Sequence, residues 1–116
     1  MHFGKFIREK REKLRERDVT YSLRQVAERV GIEPAYLSKI EREEFPPPGE
    51  ETIRSIAREL NEDVDLLLAM AGKVSSDLQD VIRRRPKLFA ELIRQMKNMP
   101  DHAVLRIVRE VRDGQW

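Results

Sequence analysis

The two histidines, His2 and His102, lie near opposite ends of the 116-residue chain, and cysteine is absent. Thiol nucleophiles, thiolate zinc sites and disulfides are thereby removed. Neither an H-E-x-x-H signature nor a glycine-rich phosphate loop occurs. Catalysis is therefore not expected, and no metal or cofactor is implied. The chemistry left is that of charge and hydrogen bonding, since 38% of the residues are charged. A net charge of +2 conceals a segregation: residues 1–18 carry seven Lys/Arg against four acids, and residues 73–97 seven against three. Between them, residues 46–72 hold Arg54 and Arg58 against six acids. Such asymmetry permits a polyanionic partner, although a solvated helix face gives similar tallies.

The elements that must position these groups read as helices throughout. Phe3, Phe6, Ile7 and Leu14 share one face of a helix over about residues 3–17. Ser22 opens an S-x-x-Q capping box with Gln25, ahead of the stripe Leu23, Val26, Ala27 and Val30. Gly31 stops that helix, and Pro34 takes the first position of the next, where a missing N–H costs nothing; Glu33 is its expected cap. Leu37 and Ile40 face inward from this third helix, which must end before Pro46, Pro47 and Pro48. Two helices joined by so short a turn cross steeply, which can hold the second proud of the domain. A DNA major groove is about 12 Å wide, enough for one helix. A compact packing device gives the same spacing, so the turn alone leaves both readings open.

Ile53, Ile56, Ala57 and Leu60 define a fourth helix from near Glu50, and Val64, Leu67, Leu68 and Ala71 a fifth ending at Gly72. Ser76 and Gln79 repeat the capping-box spacing before Leu78, Val81 and Ile82. Pro86 opens a helix with Leu88, Phe89, Leu92, Ile93 and Met96; Val104, Ile107, Val108 and Val111 form the last stripe, closed by Gly114. No segment alternates with period two, so the fold class is all-α.

The run LRQVAERVGIEPAYLSKIE, a proline-containing loop and then ETIRSIARELNEDVDLLL resembles the phage-repressor-like helix-turn-helix family, also called the xenobiotic-response-element class. Ala27, Gly31, Leu37 to Glu41, Pro48, Ile53, Ile56, Ala57 and Leu60 carry the likeness in register over about residues 3–70. The resemblance implies a five-helix lambda-repressor-like DNA-binding domain over residues 1–72. It implies that Pro34, Ala35, Ser38, Lys39 and Arg42 read base edges. A lysine can donate to guanine O6 and N7, a serine can pair with several bases, and an alanine can touch a thymine methyl. Glu33 either accepts from cytosine N4 or only caps its helix. Phosphates are expected at the amide-rich positive end of the second helix, around Ser22, Leu23 and Arg24. Tyr36 matches a position where a tyrosine hydroxyl can reach a phosphate, or where the ring only packs on the scaffold. Arg11 and Glu41 match a buried ion pair that fixes the recognition helix without touching DNA.

The chain departs from the family pattern after Glu41, where a glycine and basic residues are usual and Arg42, Glu43, Glu44 and Phe45 stand instead. Leu23 replaces a common glutamine, and the stretch Arg15 to Tyr21 is long enough for an extra helical turn. Residues 73–116 form a C-terminal extension whose amphipathic helices need covering, either by packing back on the domain or by a dimer interface. Dimerisation there, with Phe89, Leu92, Ile93, Val108 and Trp116 as anchors, suits an inverted-repeat operator. The Arg83 to Lys87 run fits a solvated face or a grip on flanking phosphates. No apolar stretch approaches the roughly 18 residues of a membrane span, and the N-terminus is charged from Lys5. The expectation is a cytoplasmic, dimeric transcriptional repressor that binds double-stranded DNA. The rival is an antitoxin-like module whose C-terminal helices mask a toxin-like protein partner, with DNA binding secondary.

Overall fold

A computed structural model describes residues 2–114. Among these described residues there are eight α-helices and no strand: α1 (Phe3–Arg15), α2 (Leu23–Val30), α3 (Pro34–Glu41), α4 (Glu50–Glu59), α5 (Val64–Met70), α6 (Ser76–Arg84), α7 (Pro86–Met96) and α8 (Asp101–Asp113). The all-α class and the additional C-terminal helices are thus observed. The chain divides after Ser75 into two compact units.

In the first unit, α1 and α2 both pack on α3, α2 packs on α4, and α4 on α5. Their helical stripes meet in one core of Phe3, Ile7, Val26, Ala27, Leu37, Ile40, Ile53, Ile56, Ala57, Leu60, Leu67 and Leu68. Each fully buried large aliphatic side chain there contributes about 1.5–3 kcal/mol relative to exposure. Phe6, Leu14, Leu23 and Val30 are half-buried against its edge. Lys73 Nζ donates to the Pro48 carbonyl at 2.9 Å, and Ser75 is buried, so the residues following α5 still belong to this unit.

The first helix is shorter than its apolar pattern suggests. It ends at Arg15, where the amides of Arg17 and Asp18 both fold back onto the Leu14 carbonyl, at 3.1 and 3.0 Å. The long link then makes a single 3-10 turn, Val19–Tyr21, capped by Asp18, whose Oδ1 accepts from the Thr20 amide at 2.9 Å and its hydroxyl at 2.7 Å. Arg29 holds that turn from α2: its Nη1 donates to the Thr20 carbonyl at 2.8 Å, and its guanidinium lies 5.3 Å from the Tyr21 ring centroid.

The second unit contains α6, α7 and α8, and none of their residues is buried. Its apolar stripes are real but shallow. Val81, Ile82, Phe89, Met96, Val104 and Ile107 are half-buried, while Leu88, Leu92, Ile93, Leu105, Val108 and Val111 stay exposed. Helix α6 takes Ser76 as its first residue rather than as its cap.

Candidate nucleic-acid interface

Presentation of α3 begins at the turn before it. Gly31 adopts φ 88°, a left-handed conformation that a side chain disfavours, and this lets the Ala27 carbonyl accept from both the Gly31 and Ile32 amides at 2.9 and 3.0 Å. A Cβ on Gly31 would meet nothing within 4 Å, so the requirement for glycine is conformational, not steric. Pro34 then occupies the first turn of α3. Glu33 stands at the N-cap position with extended backbone, but its carboxylate makes no cap hydrogen bond.

The inner face of α3 is closed. Leu37 and Ile40 are each 1% exposed, and Glu41 is 4% exposed. Glu41 receives a bidentate pair from Arg11 of α1, Nε to Oε2 at 2.8 Å and Nη2 to Oε1 at 2.9 Å. Arg11 Nη1 also donates to the Tyr21 carbonyl at 3.2 Å, so one guanidinium ties α1, the 3-10 turn and α3 together. The hydrogen bonds to Glu41 raise the Arg11 pKa against the opposing effect of burial. Every buried side-chain nitrogen and oxygen among the described residues has a partner.

The outer face is open. Ala35, Lys39 and Arg42 are exposed, and Pro34, Tyr36 and Ser38 half-buried. Arg42 is not a free cation, however: it is the C-cap residue, its Nε donates to the Ser38 carbonyl and hydroxyl at 3.3 and 3.2 Å, and its guanidinium pairs with Glu44 at 3.0 Å. Lys39 Nζ sits 5.0 Å from the centroid of the Phe45 ring, which is tilted 55° against Tyr36 at 6.0 Å. The Lys39 carbonyl accepts from the Glu44 and Phe45 amides at 2.9 and 3.2 Å, so the loop folds back over the helix end.

Two positions that sequence patterning passed over lock this loop to α1. Glu43 has φ 64°, an uncommon conformation for a non-glycine residue, and its Oε1 accepts from the Lys5 amide at 2.8 Å in the first turn of α1. Gly4 allows the approach, because a Cβ there would collide with the Ile40 carbonyl. The signal was the bare glycine inside an apolar-periodic helix, which marks a close backbone approach.

At the start of α2, Ser22 Oγ accepts from the Gln25 amide at 3.2 Å and donates to Gln25 Oε1 at 3.0 Å. The amides of Leu23 and Arg24 come first in the helix and have no intrahelical acceptor. The Leu23 side chain packs against the core, while Arg24 is exposed and has no salt-bridge partner among the described residues. In the second unit, Leu92, Ile93 and Val108 are exposed and Phe89 is half-buried; Trp116 lies outside the described residues. No helix among the described residues is long and apolar enough to cross a membrane.

A helix ending in a left-handed glycine, a three-residue turn and a second helix clamped inside by a buried ion pair and open outside define a helix-turn-helix DNA-binding domain. A family model described as helix-turn-helix matches residues 7–67, from the middle of α1 into α5. The chain belongs to this family, the phage-repressor-like class of DNA-binding transcriptional regulators. No curated protein and no solved structure matches it.

Proposed function

We propose that the chain is a dimeric repressor, acting in the cytoplasm, that lays α3 in the major groove of an inverted-repeat operator. The observation that carries this reading is the two-sidedness of α3: Leu37, Ile40 and Glu41 anchor it from within, leaving Ala35, Lys39 and Arg42 exposed on the other side. Lys39 donates to guanine O6 and N7, Ser38 and Arg42 make the adjoining polar contacts, and Pro34 and Ala35 offer apolar surface to a thymine methyl. The first amides of α2 and the Arg24 guanidinium hold phosphates, with the Tyr36 hydroxyl as a second anchor. These contacts set register, and α3 sets sequence.

The second unit supplies the two-fold partner surface in this reading. The lack of any buried residue in α6, α7 and α8, with Leu88, Ile93 and Val111 more than half exposed at 64, 61 and 61%, supports a role in association. The same exposed side chains support the second reading, in which α7 and α8 mask a protein partner of the toxin type and DNA binding is secondary.

Selection of bound duplexes from a random pool at fixed salt tests the proposal. The expected product is a palindrome with half-sites about one helical turn apart. Recovery of the starting pool without enrichment would overturn it.

A further inference from the structure

The loop leaving α3 places two unlike groups against the two cations of the outer face. The Phe45 ring lies under the Lys39 ammonium, 5.0 Å from its centroid, and the Glu44 carboxylate pairs with Arg42 at 3.0 Å. Neither arrangement is a by-product of core packing, since Phe45 is 43% exposed and the Arg42 and Glu44 side chains are each 51% exposed. Both are set by the backbone: the amides of Glu44 and Phe45 donate to the carbonyl of Lys39 itself. The loop is anchored in turn by Glu43 on the Lys5 amide.

We infer that Glu44 and Phe45 are specificity-determining positioning residues, which aim Lys39 at base edges and hold Arg42 back from phosphates. The inference rests on the proposal that α3 reads DNA. A lysine ammonium is a flexible point charge that any phosphate can satisfy, and ordering its side chain on binding costs rotamer entropy. A ring beneath it limits that freedom in advance and favours one direction of approach. Arg42 is restrained differently. Its Nε is taken by Ser38, and a carboxylate beside its guanidinium repels the phosphate backbone, so non-specific attraction is weakened at the place where the helix meets the duplex. Specificity is a difference between two affinities, and this loop acts on both: the ring raises the specific one and the carboxylate lowers the general one.

The test uses the full chain, the duplex recovered by selection, and a scrambled duplex of equal length and composition. Phe45→Leu is expected to weaken the selected duplex about two- to fivefold and leave the scrambled one unchanged. Phe45→Tyr should restore wild-type binding, and in a Lys39→Ala background Phe45→Leu should have no further effect. Glu44→Gln is expected to tighten the scrambled duplex about two- to fivefold and to steepen the salt dependence by roughly one unit of slope. Equal weakening of both duplexes by Phe45→Leu, or an undiminished effect without Lys39, would overturn the role of the ring. Unchanged salt slope and affinity in Glu44→Gln would overturn the role of the carboxylate. A wild type that discriminates while every variant matches it removes this inference alone; a wild type that prefers no duplex removes the reading of α3 beneath it as well.

Discussion

The two units use similar apolar residues in opposite ways. The first turns its stripes inward, and twelve hydrophobic side chains from Phe3 to Leu68 are each at most 3% exposed. The second carries stripes just as regular along α6, α7 and α8 yet buries none of their residues. Helical periodicity therefore reports which face is apolar, not what covers it. A core of the first kind gives a scaffold that holds α3; the stripes of the second kind leave Leu88, Leu92, Ile93, Val108 and Val111 exposed.

The sharpest way to break the first unit is to strand its buried charge. Arg11→Ala leaves Glu41 without its partner and should cost about 3–5 kcal/mol in urea unfolding, whereas Arg11→Met combined with Glu41→Leu should recover most of that loss. Next in size is a matched pair of truncations across the two units. Ile53→Ala, at 0% exposure, should cost about 2–5 kcal/mol, while Ile93→Ala, at 61%, should leave the monomer within about 0.5 kcal/mol and instead shift the sedimentation coefficient from dimer toward monomer. An Ile93 variant that sediments as wild type would remove that residue from the dimer surface.

Much of this contrast is legible in the sequence. Ser22, Gly31, Pro34 and the three prolines 46–48 bracket α2 and α3 because caps and breakers act within a few residues of themselves. The inward positions Ala27, Leu37, Ile53 and Ile56 follow from helical spacing and are at most 1% exposed. What cannot be read there depends on groups far apart along the chain: the Glu43 carboxylate on the Lys5 amide, 38 residues away, and Gly4 beneath the Ile40 carbonyl. The contacts of Lys39 and Arg42 are hidden for another reason. They depend on how the loop folds back, which the Glu43 backbone at φ 64° makes possible and no propensity favours.

Smaller effects sharpen the same comparison. Lys39→Ala should lose about 1–3 kcal/mol on the selected duplex and relax preference at one base position per half-site, with no change in dimerisation. Gly31→Ala should destabilise the first unit by about 1–2 kcal/mol, because the alanine must hold a left-handed backbone at φ 88°. The least effect is expected at Asp18. Hydrogen bonds from the Thr20 hydroxyl and amide hold its carboxyl below the ordinary value of 3.8. A depressed folded-state pKa means that the stabilisation is present above the unfolded-state value and is lost as the pH falls through the folded-state one. Thermal melts from about pH 6 to about pH 2 should therefore show a shallower acid decline for Asp18→Asn than for the wild type.

The central claim, that the outward side of α3 enters a duplex, is tested most directly by following backbone amide chemical shifts while the selected duplex is titrated into the full chain. Shifts concentrated at residues 22–24 and 34–45, with α7 and α8 unmoved at constant dimer population, are the predicted result. Shifts confined to residues 76–113, with α3 silent at saturating duplex, would contradict it.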